Sequence, residues 1–204
     1  MATQTIQLPW GAQSIPLNLP EGWNLLGQME PSALPGVADT SAETRGALAA
    51  PFGSPRLSEL ARAGMRVALV IDDASRPTPV RLILPQVLAE LSGAGVRPEQ
   101  ISIVPALGVH RPMTAAEVLE RTGLPSLGGM AVVDHDTDDP AKLADLGVTS
   151  RGTPVLVNRT VAEAGLVVSI GCIEPHIIAS FGGGYKNLFP GVAGRATIAH
   201  NHGL

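Results

Sequence analysis

Apolar residues recur along this chain in two different rhythms. Residues 5–8 and 14–19 alternate apolar and polar side chains on either side of Trp10-Gly11. Alternation of period two across a tight turn reads as a β-hairpin. Residues 21–29 read as a further strand, and residues 31–40, with Pro31, Pro35 and Gly36, as loop. A helix is expected over 41–50 with Ser41 as its N-cap. A break at 51–55 follows, then a short helix over 57–63 closed by Gly64.

From residue 66 the rhythm changes. Residues 66–71 (RVALVI), 101–107 (ISIVPAL), 130–133 and 166–170 are short apolar runs, each followed by a polar cluster. Runs of this length suit strands buried on both faces. An amphipathic helix is expected over 80–91. Another is expected over 115–121, where Thr114 and Glu117 have capping-box spacing. Residues 141–147 and 153–157 read as a hairpin excursion and 160–164 as a short helix. The strand–helix alternation predicts an α/β fold, a mostly parallel Rossmann-like sheet flanked by helices, with a small N-terminal β-hairpin appendage. Residues 1–65 are expected to pack as an appendage on a core spanning 66–204. Ligands of such sheets bind beyond the carboxyl ends of the strands. Four polar clusters are therefore expected to converge: Asp73 with Arg76, His110 with Arg111, His135, and Glu174 with His176.

Composition narrows the classes. The chain has 204 residues, 45% hydrophobic and 16% charged, enough to bury a substantial core. A net charge of −4 without a basic run argues against nucleic acid and anionic membranes as partners. No apolar run approaches the length of a spanning helix. The first residues have neither a basic nor an apolar signal region. The single cysteine, Cys172, fits a reducing compartment. Together these features predict a cytoplasmic protein.

The candidate chemistry lies in the polar clusters. Asp73 and Arg76 read either as a loop ion pair of little energetic worth or, for Arg76, as a clamp for a carboxylate or phosphate. His110 stands between a strand end and a helix cap, as a general base or as an idle loop histidine. His135, between Asp134 and Asp136, reads as a plain surface residue. Gly182-Gly183-Gly184-Tyr185-Lys186 is not a P-loop, because the glycine spacing is wrong and Asn187 stands where Ser or Thr would hold magnesium. Lys186 then serves as an electrostatic anchor or as a point of covalent attachment. His200 and His202, two residues apart, give only a weak metal signal.

Taken together, the motifs resemble a known family. Asp73-Ala74-Ser75-Arg76-Pro77, Gly108-Val109-His110-Arg111-Pro112-Met113-Thr114, Glu174-Pro175-His176, the Gly182–Lys186 run with Pro190-Gly191, and Asn201-His202 occur in the order found in lactate racemases that use a nickel-pincer nucleotide. The resemblance covers roughly residues 66–204. It implies a 2-hydroxy-acid racemase or epimerase. Lys186 would carry the cofactor, a pyridinium mononucleotide with two sulfur-bearing arms, beside Gly182, Gly183 and Gly184. His202 would be the protein ligand to Ni(II), a soft-sulfur and imidazole setting that suits nickel. His110 and His176 would be the acid/base pair. Arg76 would orient the substrate carboxylate, and Asp73 would contact cofactor or neighbouring side chains. The implied partners are a small 2-hydroxy acid, the proteins that synthesise and insert the cofactor, and a C-terminal domain that family members carry and this chain lacks. This half alone is expected to be inactive. The alternative is a non-catalytic domain that binds a phosphorylated or nucleotide-like ligand.

Overall fold

The computed structural model describes residues 4–29 and 34–203. By its internal contacts the chain divides into two compact units, Met1–Gly36 and Val37–Leu204.

In the first unit, β1 (Thr5–Trp10) and β2 (Gln13–Asn18) form the expected antiparallel hairpin. Gly11 turns it at a φ of 59°. The register sets Ile6 opposite Leu17 and Leu8 opposite Ile15, so one face of the ribbon is apolar. The strand expected over 21–29 does not form. Gly22, at a φ of 85°, turns the chain, and residues 23–29 have no regular structure.

The second unit begins with two helices, α1 (Thr40–Ala49) and α2 (Leu57–Leu60). Then come β3 (Val67–Asp72), α3 (Val80–Gly93), β4 (Ile101–Ala106), α4 (Ala115–Thr122) and β5 (Ala131–Val132). The hairpin of β6 (Leu143–Val148) and β7 (Pro154–Asn158) follows, then α5 (Arg159–Ala162) and β8 (Leu166–Ile170). A two-residue ladder of β9 (Pro175–His176) with β10 (Ser180–Phe181) and a helix, α6 (Arg195–His202), complete it. The sheet order is β5-β4-β3-β8, and every pairing in it is parallel.

β3 is the centre of the core, and all six of its residues are buried. Val67, Leu69 and Ile71 pack with Leu84, Val87 and Leu91 of α3. Ala68 and Val70 pack on the other face with Val157, Val161 and Val192. A continuous apolar run is therefore split by period two between two cores. Each fully buried Leu or Ile contributes about 1.5–3 kcal/mol.

Two local expectations change and one helix is new. α1 is capped by Asp39, whose side chain accepts from the Ala42 N–H at 2.9 Å. Ser41 instead lies one residue inside the helix and donates to the Leu82 carbonyl at 3.3 Å. α2 stops at Leu60, because Ala61 is already extended. α6 was not expected at all: it lacks a side-chain N-cap, and only Thr197 and Ile198 are buried.

Candidate active site

β3, β4 and β8 end on one edge. The chain steps from β3 to β4 to β5 in one direction, then returns to place β8 on the other side of β3. That reversal creates a switch point between β3 and β8, where open α/β sheets hold ligands. A cavity of about 270 Å3 lies there, and its walls include Asp73, Arg76, His110, His176, Lys186 and His202.

The loop after β3 supplies two of these groups. Asp73 is 6% exposed. Its Oδ1 accepts from the Ser75 N–H at 2.9 Å and from the Ser75 hydroxyl at 2.5 Å. Its Oδ2 lies 2.5 Å from His110 Nδ1. Burial alone would raise the Asp73 pKa, but the hydrogen bonds from Ser75 and His110 outweigh it and hold the carboxyl below its ordinary value. An ionised carboxylate only accepts, so Nδ1 of His110 donates, and in the neutral ring Nε2 carries the lone pair. The loop ion pair between Asp73 and Arg76 does not form. Ser75 and His110 occupy Asp73, while Arg76 reaches toward the β8 edge and donates from Nη1 to Glu174 Oε1 at 2.9 Å.

After β4, Gly108 adopts a φ of 53° and donates to the Gly191 carbonyl at 2.8 Å. A second tight bond, from the His110 N–H to the Leu107 carbonyl at 2.8 Å, lifts His110 over the strand end. Arg111 turns outward and grips Glu117 through two bonds of 2.9 and 2.5 Å.

After β8, His176 is held by the turn that follows it. Its Nδ1 accepts from the N–H groups of Ile178 and Ala179 at 3.2 and 3.1 Å. The neutral ring must then carry its proton on Nε2. Partial burial, followed by the charges of Lys186, Arg76 and His202, lowers its pKa.

The glycine run is packed from behind. A Cβ on Gly183 would sit 2.4 Å from the Cys172 carbonyl oxygen, and one on Gly182 would sit 3.0 Å from Glu174 Cγ. Gly184 faces open space. Lys186 lies in the 3-10 turn Gly184–Asn187. The buried Asn187 side chain ties that turn to β8, donating to Ser169 Oγ at 3.1 Å and to the Ile170 carbonyl at 3.2 Å. Among the described residues the Lys186 amine has no ion-pair partner. Burial, then the Arg76 charge, lowers its pKa and favours the nucleophilic free amine.

α6 brings His202 to the cavity. It is fixed to β7 by Thr197, whose hydroxyl accepts from the Leu156 N–H at 2.9 Å. His202 pairs through Nδ1 with Asn201 Oδ1 at 3.0 Å, and its ring lies 6.4 Å from that of His176, centroid to centroid. His200 points away to Thr153 Oγ1 at 3.0 Å. Among the described residues no three His, Cys, Asp or Glu side chains gather to hold a metal ion. A metal bound by His202 would need its other ligands from elsewhere.

His135 departs from expectation. It is 4% exposed rather than a surface residue, and it does not line the cavity. The chain beyond β5 folds under residues 193–195, and Nε2 donates to the Ala193 carbonyl at 3.0 Å. Burial lowers its pKa. From three of the four expected clusters, Asp73, Arg76, His110 and His176 thus meet at the cavity, while Arg111 and Glu174 do not line it. Sequence reasoning also passed over Arg121 and the partnership of Glu174 with Arg76, and it named Asn187 only as a departure from the P-loop pattern. Arg121 had stood only as the last residue of a helix.

The sequence matches the lactate racemase N-terminal domain family over residues 10–204. The chain belongs to this family. It is 36% identical over 153 residues to the lactate racemase of Lactiplantibacillus plantarum, covering 74% of this chain and 36% of that protein. It is 30% identical over 199 residues to the lactate racemase of Thermoanaerobacterium thermosaccharolyticum, covering 97% of this chain and 46% of that protein. The chain thus spans less than half the length of these relatives. Its fold aligns with the lactate racemase apoprotein of T. thermosaccharolyticum at a TM-score of 0.74, with 28% identity over 96% of this chain and 45% of that one. A Thermotoga maritima protein shares the fold alone, at a TM-score of 0.67 and 22% identity, over 83% of this chain and 42% of that one. Among the described residues no helix is long and apolar enough to cross a membrane.

Proposed function

We propose that this lactate racemase N-terminal domain is the cofactor-bearing half of a cytoplasmic 2-hydroxy-acid racemase or epimerase. One observation carries the reading: two differently held histidines, a lysine with no ion-pair partner among the described residues, an arginine and a third histidine share one cavity at the switch point. Family resemblance supplies the cofactor, a nickel-pincer nucleotide, and the residues present fit it. Lys186 offers an amine whose pKa burial lowers. His202 offers one imidazole, with Nδ1 engaged by Asn201 and Nε2 unengaged among the described residues. That suits a metal whose other ligands come with the nucleotide. When bound, this group supplies a two-electron acceptor for the hydrogen on the substrate Cα.

The chain's own residues handle the proton and the carboxylate. Arg76, steadied by Glu174, orients the substrate carboxylate with its remaining donors. His110, with Nδ1 committed to Asp73, takes the hydroxyl proton on Nε2. His176 presents an N–H at Nε2 while its turn holds Nδ1. To act as the base for the opposite enantiomer, His176 must move its proton to Nδ1 and release those two backbone bonds. The two directions of a racemisation therefore start from unequal histidines. The glycine run shapes the wall behind Lys186. Completion of the site by a further domain is part of this reading.

The test is co-expression of the full-length protein with cofactor-synthesis proteins. Intact mass, nickel content and lactate racemisation are then measured for wild type, Lys186→Ala and His202→Ala. The reading expects a mass adduct that Lys186→Ala abolishes and nickel that His202→Ala loses. A Lys186→Ala protein that retains full racemase activity sinks it.

A further inference from the structure

Arg121 lies in the last turn of α4, and its side chain is 12% exposed. It lines no wall of the cavity, yet every arm of its guanidinium is committed to the loop that feeds the cavity. Nε donates to the Asp72 carbonyl at 3.2 Å, Nη1 donates to the Arg76 carbonyl at 2.8 Å, and Nη2 pairs with the Asp72 carboxylate. The other Asp72 oxygen accepts from the Thr78 hydroxyl. One planar cation thus ties the end of β3 to the far side of the turn, four residues on. The two residues whose direction this span sets are Asp73, which meets His110, and Arg76, which meets Glu174. α4 is itself held in place. Thr114 and Glu117 cap its first turn, and Gly123 at its end, with a φ of 68°, lies so close to Arg81 that a Cβ would come within 2.6 Å of the Arg81 Cβ.

We propose that Arg121 is a positioning residue: its three-way clamp on residues 72–76 aims Asp73 at His110 and Arg76 at Glu174. It never touches substrate. A guanidinium is needed because only its fixed fork reaches two carbonyls and a carboxylate at once, and a lysine ammonium at this position keeps the charge and loses the fork. The proposal takes the roles of Asp73, His110 and Arg76 from the proposed function, so its first readout is independent of turnover.

The experiment compares wild type, Arg121→Lys and Asp72→Asn. Ring 15N shifts of His110 are recorded in this chain, with melting temperature alongside. In wild type the His110 ring is expected to show one dominant tautomer, protonated on Nδ1. In both variants that preference is expected to relax toward the mixture of a free imidazole, in protein that still melts cooperatively. In the matured full-length protein the same variants are expected to lose at least 10-fold in kcat for lactate. Should Arg121→Lys fail to fold, the Asp72→Asn spectrum decides. A folded variant with an unchanged His110 tautomer overturns the clamp. A relaxed tautomer in a protein that proves to have no racemase activity even as wild type upholds the clamp and discards the racemase reading.

Discussion

The Asp73 carboxylate holds Nδ1 of His110 at 2.5 Å while its other oxygen is already bound by Ser75. A carboxylate fixed at both oxygens has little freedom to follow a moving ring, so it sets both the tautomer and the tilt of the imidazole. Asp73→Asn keeps the shape and removes the charge. Under the proposed function, in which His110 is a base, it is expected to lower kcat of the matured full-length protein by about 10²–10⁴-fold, the usual range for a positioned base. Lactate racemisation checks this, with a melting curve showing that the fold persists.

Lys186 and Lys142 are the only lysines in the sequence, which makes an internal comparison possible. Lys142 lies 3.9 Å from Asp136, whereas burial and Arg76 lower the pKa of Lys186. Trace labelling with acetic anhydride at pH 8, followed by peptide mass spectrometry, is expected to modify Lys186 several-fold faster than Lys142. Equal rates would show that the amine is not activated.

The glycines are expected to separate by substitution. Gly183 has a φ of 66° and a ψ of −169°, a region open to little but glycine, and its Cβ would strike the Cys172 carbonyl. Gly183→Ala is expected to destabilise by about 3 kcal/mol or more from strain and clash together. Gly184, at a φ of 51° in open space, is expected to cost only about 1–2 kcal/mol when replaced by Ala. Thermal denaturation of the two variants checks the ranking.

His135 gives stability a pH dependence. Its pKa is lowered from 6.5 in the folded protein by burial. As pH falls below the unfolded value of about 6.5, the unfolded chain binds the proton first, so stability declines with falling pH until the folded value is passed. The stability is fully present above the unfolded pKa. His135→Asn is expected to flatten the loss of melting temperature between pH 7 and pH 5 relative to wild type. An unchanged slope would assign that loss to other groups.

What could be read from the sequence depended on whether the signal was local. The four strands of the sheet were legible because each is a short apolar run, and so was the capping box of Thr114 and Glu117. Their burial was legible for β3 and most of β4 only, since β5 has no buried residue and β8 just one. That Asp73, His110, His176 and Lys186 share one rim of the sheet was legible because each follows a strand end or a glycine run. The partners were not. Arg76 stands 98 residues from Glu174, and Arg121 stands 49 from Asp72, and no spacing rule connects such pairs before the sheet is assembled. His135 was misread because its neighbours in sequence are acidic and polar, whereas its surroundings are set by residues near 193. α6 escaped notice because its apolar positions are few.

The backing of the glycine run bears on how a ligand is received. Gly182 and Gly183 are wedged against the strand link at Cys172 and Glu174, and Asn187 pins the next turn to β8. The lysine therefore projects from a platform that is already shaped by its own chain. A loop that is set in advance loses little conformational entropy when something docks on it. Occupation of this platform should register as local rigidity gained by the Lys186 side chain alone, with the main chain on either side of it unmoved.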